Sequence, residues 1–269
     1  MTINFETTYL PEPDLVFGNQ GEDKDPRIGL KHHGPYFYSS EDAGLESVRI
    51  GIIGNNECTS MARKIIKLIQ DPVKSPKPNH WLFPDYPGMK KDSPFRCNLR
   101  MDKNWDASIS DDYDLSKIEK VMTDMNERIA YGVNLYANKV EQIKSGDDVP
   151  NVIICTLPKI VEKYCGISEF TRGAKKVVLT QLEKDNIRME KAGQLKLGDF
   201  GVIVPEDEKP KDKSYDFRNS LKGKVMKHGI PIQLIKESTM NQILNYGELK
   251  KIQKENPAAF SWNFSTALY

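Results

Sequence analysis

Residues 48–70, VRIGIIGNNECTSMARKIIKLIQ, contain one predicted strand and the helix that follows it. Val48 to Gly54 is an apolar run, which is typical of a strand covered on both faces of a sheet. From Ser60 to Gln70 the apolar residues recur every three or four positions, as they do on one face of an amphipathic helix. A strand followed directly by a helix is the repeating unit of parallel α/β sheets.

The chain repeats this alternation after residue 70. The further predicted elements are the strands Phe95–Met101, Asn151–Leu157 and Ile232–Ile235, and the helices Leu115–Ile143, Ile160–Tyr164, 217–225 and Thr239–Leu244. The longest helix is predicted as one element with a bend at Gly132, and the proline-rich segment 71–92 as a surface excursion. The pattern predicts an α/β fold: a Rossmann-like parallel sheet flanked by helices, with an irregular N-terminal extension.

The segment RNSLKGKVMKHGIPIQ (218–233) combines two cations and an amide around a sharp turn. Arg218 and Lys222 are four residues apart, so they lie on the same face of the predicted helix. Gly229 ends that helix, and the following strand carries Gln233 back toward the cations. Two cations and an amide donor are suited to one terminal phosphate. On charge pattern alone, a solvated helix face is the commoner outcome.

The composition restricts the class of protein. The chain has 269 residues, 38% of them hydrophobic, and a net charge of +1, so it can bury a sizeable core but is not uniformly basic. No signal peptide and no membrane-spanning run are evident, so we expect a cytoplasmic protein with no membrane partner. The widely spaced Cys58, Cys97, Cys155 and Cys165 are expected to be buried reduced thiols rather than metal ligands.

The sequence lacks the common catalytic and cofactor motifs. It contains no P-loop and no nucleophile elbow, and GIIGNN (51–56) lacks the third glycine of a dinucleotide-binding turn. His32 and His33 have no third ligand near them in the sequence, so we interpret them as turn residues and expect no metal site from side chains. Trp81, Trp105 and Trp262 are expected to pack rather than to stack on bases.

Together with 218–233, three further parts of the chain resemble the MID region of prokaryotic Argonaute proteins. They are LVFGNQGEDKDPRIGLKHHGPY (15–36), VRIGIIGNN (48–56), and PIQLIKESTM (231–240) with WNFSTALY (262–269). The resemblance spans most of the chain apart from a variable insert around 166–213. It implies an N-terminal lead-in at 1–47, a MID-like domain at 48–245 and the start of a PIWI domain at 246–269.

The resemblance implies a site for the 5′ end of a guide strand. In this family the site uses a Tyr, His or Arg, a Lys one helical turn later, a Gln after the next turn, and a further Lys on a helix leading into PIWI. Arg218, Lys222 and Gln233 match the first three positions, and Thr239 joins them as a candidate phosphate-binding residue. The family also implies a divalent cation such as Mg²⁺ at the guide 5′ end, a target nucleic acid, and a role in defence against plasmids and phages.

The family's further lysine has no counterpart before Tyr269. The resemblance therefore leaves two interpretations open: a partner, either a separate PIWI-containing polypeptide or a toxic effector protein, or a fragment from a disrupted reading frame. It also implies a terminal helix whose end at Ala267–Tyr269 is exposed. We expect no catalysis in this chain. Two alternatives stay open: a Rossmann-like nucleotide-binding or nucleotide-modifying enzyme that uses the same cations, and a non-functional Argonaute fragment.

Overall fold

The computed structural model describes residues 10–36, 46–122, 124–165, 216–246 and 256–268. The strands are β1 (Leu15–Val16), β2 (Glu22–Asp23), β3 (Ser47–Gly54), β4 (Asn98–Met101), β5 (Ala107–Ser108), β6 (Val152–Leu157) and β7 (Ile232–Lys236). The α-helices are α1 (Pro26–His33), α2 (Asn56–Gln70), α3 (Met125–Lys144), α4 (Lys159–Tyr164), α5 (Phe217–Val225), α6 (Glu237–Leu244) and α7 (Pro257–Leu268). The predicted insert at 166–213 lies outside the described residues.

Five of the strands form one parallel sheet in the order β4, β3, β6, β7. The short β5 continues the edge that β4 begins, because β4 pairs with the first half of β3 and β5 pairs with Ile53 and Gly54 at its end. Strand β7 pairs in parallel with β6, from Ile232 opposite Ile153 to Lys236 opposite Leu157. The predicted Rossmann-like α/β fold is therefore confirmed.

Helices cover both faces of this sheet. Successive side chains of each inner strand point to opposite faces, so each strand contributes to both layers. Ile50 and Ile52 of β3 pack in the cluster that contains α2, α6 and α7. Ile53 packs in the other cluster, with α3 and with Phe217 and Leu221 of α5. Complete burial of side chains of this size stabilises the fold by about 1.5–3 kcal/mol each, which makes the two layers its main source of stability.

The region predicted as one long helix is divided into separate elements. Two π-helical turns, Asp111–Leu115 and Lys117–Val121, precede an extended residue, Met122, and only then does α3 begin. The break has a local cause, since the Asp124 carboxylate accepts hydrogen bonds from the amides of Asn126 and Glu127 at 2.9 and 3.0 Å and so caps a new helix. Gly132 lies inside this continuous helix, where a side chain would meet the Phe217 ring.

The proline-rich segment 71–92 is an excursion, as predicted, but its base is buried. Val73 and Tyr86 form an antiparallel bridge, and Tyr86 is fully buried with its ring 5.5 Å from that of Trp262 on α7. The Tyr86 hydroxyl donates to the Ile69 carbonyl at 2.9 Å and contacts Ser265 Oγ at 2.6 Å. This excursion is therefore fixed between α2 and α7.

The expectation that the tryptophans pack is confirmed for Trp105 and Trp262, which are 6% and 1% exposed. It is wrong for Trp81 on the excursion, which is 79% exposed.

Helix α7 also corrects the expectation of an exposed end. Trp262 and Leu268 are buried in the same core cluster as α2, so this helix belongs to the sheet's own layer. Ala267 is exposed, as predicted, and Tyr269 lies outside the described residues. The apolar face of α7 explains the result, because it has the buried Tyr86 and Phe95 rings to pack against.

The N-terminal extension contains a helix that the sequence did not predict. Helix α1 is capped by the Asp25 carboxylate, which accepts from the amides of Arg27 and Ile28 at 2.8 and 2.9 Å. Pro26 occupies its first turn, where the missing proline N–H costs no hydrogen bond.

Within the described ranges, every helix is too short or too polar to cross a bilayer.

Candidate nucleic-acid interface

A groove of about 840 Å³ lies beside the edge strand β7. Its walls come from β7, the first turns of α5 and α6, helix α7, and the excursion 71–92. Three cations line it: Arg218 from α5, Lys236 from the end of β7, and Lys77 from the excursion. None of the described residues that line it is a carboxylate. The groove is therefore suited to an anion, because nothing in its described wall repels one.

Arg218 is placed in the groove by the start of α5. The Asp216 side chain caps this helix by accepting from the Arg218 amide at 3.0 Å. Phe217 and Leu221 are buried, and this fixes the rotation of the helix and leaves Arg218 exposed. Among the described residues the guanidinium has no carboxylate partner, so its charge is available to a ligand.

Gln233 and Thr239 line the same groove as Arg218. Gln233 is the second residue of β7, opposite Ile154, and its side chain is half-buried. Thr239 lies in the first turn of α6, directly after the strand. Their amide and hydroxyl groups can donate hydrogen bonds to an oxyanion, as Arg218 can.

Lys222 is not among the residues that line the groove. It is exposed one turn further along α5, about 5.4 Å nearer the end of the helix that leads away from Arg218. Residues four apart share a helix face, but a groove that lies across one end of the helix meets only one of them. The role of Lys222 as a phosphate ligand stays a prediction.

The sequence reasoning missed two of the cations. Lys236 ends β7, so the rule that ligands lie at the carboxyl ends of parallel strands could have found it. Lys77 carried no such signal, because it lies in a proline-rich segment that is brought to the groove by long-range packing, such as that of Tyr86 on α7. Asn263 of α7 also lines the groove and accepts a hydrogen bond from Arg27 Nη2 at 3.1 Å.

The usual nucleotide crevice of such a sheet lies between the carboxyl ends of β3 and β6, where the direction of the crossovers reverses. Here the buried side chains of Asn55 and Thr156 lie at the ends of these two strands. Asn55 caps α2 through Cys58 N at 3.0 Å and donates to Asp111 Oδ1 at 2.8 Å. A Cβ on Gly54 would lie 1.9 Å from Thr156 Oγ1, so β3 and β6 are in close contact at this point. The groove beside β7, in contrast, is lined by two exposed cations, Arg218 and Lys77.

A second polar cluster joins the helices that follow β6 and β7. Glu237 Oε2 accepts from the Lys159 amide at 2.9 Å, and its other oxygen lies 3.2 Å from Lys159 Nζ. Glu162 accepts from Ser238 N at 2.9 Å and from Ser238 Oγ at 2.7 Å. Because these carboxylates already satisfy helix amides at that edge, this cluster is structural.

The described residues contain no group of three or more His, Cys, Asp or Glu side chains that could hold a metal ion. The groove itself offers only uncharged oxygen ligands from the protein, such as the amide oxygens of Gln233 and Asn263. Mg²⁺ in proteins is usually bound through one or two carboxylates together with ligand phosphates. The described side chains therefore do not form a magnesium site on their own.

The prediction of buried thiols is confirmed for all four cysteines, which are buried and unpaired. Burial raises the pKa of Cys155 and Cys165 to about 12. Burial and the nearby Glu237 carboxylate also raise the pKa of Cys58 well above its usual range. Thiols held in the neutral form are poor nucleophiles and poor metal ligands.

Comparisons with known proteins add little at the level of sequence. No protein-family model matches the chain, and no curated protein matches it. Among solved structures, the Argonaute "Crystal structure of Aa-Ago with externally-bound siRNA" is similar over 94% of this chain, with a TM-score of 0.40 and 11% sequence identity. This chain spans 22% of the length of that one. A similarity at this TM-score does not decide what the present chain binds.

Proposed function

We propose that this chain binds the 5′-phosphorylated end of a nucleic-acid strand in the groove beside β7, without catalysis of its own. The observation that carries the proposal is the convergence of Arg218, Lys236 and Lys77 on one groove whose described wall holds no carboxylate. A terminal phosphate carries more charge than a phosphate inside a strand. Several cations around one pocket therefore select the end of a strand.

The rest of the groove fits a nucleotide chain better than a bare phosphate. Its apolar wall includes Phe83, Phe260 and Phe264, and the last two are stacked rings 5.3 Å apart on α7. Its volume of about 840 Å³ exceeds what one phosphate group needs. Apolar and aromatic walls with a few polar groups are typical of sites for organic ligands, here the sugar and base.

The sequence resemblance to Argonaute MID regions extends this proposal to a biological role. In that role the bound strand is a small guide RNA or DNA, the guide pairs with a target nucleic acid, and the system acts in prokaryotic defence. A PIWI-containing polypeptide or an effector protein would then carry out the response. The alternative, a nucleotide enzyme, finds less support because the polar side chains at the carboxyl ends of β3 and β6, Asn55 and Thr156, are buried and hydrogen-bonded within the protein.

The test compares single strands of one sequence that carry either a 5′-phosphate or a 5′-hydroxyl, labelled at the 3′ end and followed by fluorescence anisotropy. A charge-assisted hydrogen bond contributes about 1.5–3 kcal/mol, so we expect the phosphorylated strand to bind about tenfold tighter or more. Equal affinity for the two strands would overturn the proposal. Strong competition by free mononucleotides, or their turnover, would favour the enzyme instead.

A further inference from the structure

A second pocket, of about 320 Å³, lies at the amino ends of β3 and β4. Strand β4 is at the edge of the sheet opposite to β7, and three strand spacings, or about 14 Å, separate the two. The pocket is also at the other end of the strands, because it begins at their first residues, whereas Lys236 of the groove ends β7. It is therefore a separate site. Its lining residues are Glu46, Ser47, Lys91, Asn98 and Arg100.

The pocket opens on a polar face of the sheet. Ser47 of β3 pairs with Asn98 of β4, and two residues further along Arg49 pairs with Arg100. Residues two apart in a strand point to the same face, so these four side chains lie together, while the alternate ones point into the cluster that contains α2. Among the described residues, none from β4 belongs to the opposite cluster with α3 and α5. The helix layer on that side ends before β4, and the polar face is accessible to a ligand.

The charges on this face are unbalanced. Arg49 and Arg100 are directly opposite on strands about 4.8 Å apart, so their like charges repel each other. Asp148 neutralises only Arg49, with its Oδ1 2.6 Å from the Arg49 Nη1 atom. Within the part of the chain that the structure describes, Arg100 and Lys91 make no ion pair. An anion held between these two cations would offset the repulsion.

Hydrogen bonds fix the backbone around the pocket. Asn98 Oδ1 accepts from the Lys91 amide at 3.2 Å, so the side-chain N–H groups of Asn98 can donate to a ligand. The Asn98 amide donates to the Glu46 carbonyl at 3.0 Å and holds Glu46 beside the start of β4. Ser93 Oγ accepts from the Lys90 amide at 3.0 Å and donates to the Lys90 carbonyl at 2.8 Å, which closes the turn before the strand. A site that is already ordered loses little conformational freedom on binding.

We propose that this pocket binds a sugar phosphate, either free or as part of a nucleoside monophosphate. Arg100 and Lys91 bind the phosphate, and its oxygens also accept hydrogen bonds from Ser47 and Asn98. Glu46 accepts hydrogen bonds from the sugar hydroxyls, and its charge disfavours an anion that has no hydroxyl group to offer. The volume of about 320 Å³ is at the lower end for ligand pockets, so it fits one such molecule rather than a strand.

The test is an NMR titration of the full ¹⁵N-labelled chain with ribose 5-phosphate, ribose and inorganic phosphate. We expect ribose 5-phosphate to shift the amide signals of Ser47, Asn98 and Arg100, and to bind about tenfold tighter or more than the other two. Adenosine 5′-monophosphate distinguishes the two sources, since equal affinity shows that the sugar phosphate is sufficient and tighter binding identifies the nucleotide. Shifts confined to Gln233 and Thr239 would place the ligand in the groove and overturn the inference. Equal binding of inorganic phosphate would also overturn it, because the pocket would then be a general anion site.

Four variants test the roles of the side chains. Arg100→Ala and Lys91→Ala should each weaken binding of ribose 5-phosphate about tenfold or more, because each removes a charge-assisted hydrogen bond. Glu46→Gln should reduce the preference for ribose 5-phosphate over inorganic phosphate, because the repelling charge is gone. Lys103→Ala removes an exposed cation outside the pocket and should change neither property.

Unchanged binding in both Arg100→Ala and Lys91→Ala would overturn the inference. The inference does not depend on the proposed function of the groove, so Arg100→Ala should keep the preference for a 5′-phosphorylated strand. Loss of that preference in Arg100→Ala, with Lys103→Ala unaffected, would show that the strand itself occupies the pocket and would also overturn the inference. Failure of the pocket and failure of the groove are thus measured with different ligands.

Discussion

Glu162 and Glu237 cap each other's helices. Glu237, the first residue of α6, accepts from the amide of Lys159 at the start of α4, and Glu162 of α4 accepts from the amide of Ser238 in α6. Both carboxylates are buried, at 6% and 7% exposure. The two helices follow β6 and β7, so this exchange fixes the carboxyl ends of these two neighbouring strands, of which β7 lines the groove.

We expect Glu162→Ala to destabilise the protein by about 1–3 kcal/mol, because the Ser238 amide and hydroxyl lose their acceptor in a buried place. The measurement is the midpoint of urea unfolding. Glu141→Ala on the exposed face of α3 serves as the control and should change stability by less than about 0.5 kcal/mol. Equal losses of stability in the two variants would show that the hydrogen bonds between Glu162 and Ser238 do not stabilise the protein.

The roles of Arg218 and Lys222 can be separated by one pair of variants. Arg218→Ala should lower affinity for a 5′-phosphorylated strand about tenfold or more, because it removes a charge-assisted hydrogen bond. Lys222→Ala should cost less, since Lys222 does not line the groove. Anisotropy titrations with phosphorylated and hydroxyl strands measure both effects. Equal losses in the two variants would place the phosphate on the outer face of α5 instead.

Gln233→Leu should weaken binding of the phosphorylated strand without unfolding the protein. The side chain lines the groove and is half-buried, so a leucine of similar size removes the amide and keeps the packing against β6. Thermal melting and strand binding distinguish these effects, with Gln142→Leu on the exposed face of α3 as the matched control. A large fall in melting temperature with unchanged affinity would make Gln233 a structural amide.

The buried thiols predict slow chemical modification of the native protein. With a pKa of about 12, Cys155 and Cys165 are ionised at pH 8 to about one part in ten thousand. We expect a disulfide reagent to react with the four thiols slowly in the native state and completely in denaturant. Because the folded pKa lies above the unfolded value, these groups make the protein less stable as the pH rises from about 8.5 toward 12. Rapid native reaction would show that the core opens readily.

The sheet was predictable because its inner strands are apolar runs that only a layered α/β fold can bury. The bounds predicted for two of them, Val48–Gly54 and Asn151–Leu157, agree with those of β3 and β6 within one residue at each end. The break at Met122 was not predictable from periodicity, because apolar residues continue at helical spacing across it. It depends on the Asp124 cap, which periodicity does not take into account.

The candidate site was predictable in part. Arg218 and Gln233 came from a local pattern of helix, turn and strand, and they do line one groove. Lys77 and Phe83 could not be found in this way, because they reach the groove from a segment more than a hundred residues earlier in the chain. Their position depends on contacts between Tyr86 and α7, which no local pattern encodes.

The attachment of the excursion to α7 has a consequence for how the protein opens. Trp262 Nε1 donates to the Pro84 carbonyl at 3.3 Å, and Tyr86 meets Ser265, so segments 179 residues apart share one set of buried contacts. Segments joined in this way open together as one cooperative unit. The amide hydrogens of Asp85 and Tyr86 and those of α7 should therefore exchange with deuterium in the same event, and a strand bound in the groove should slow the exchange of both.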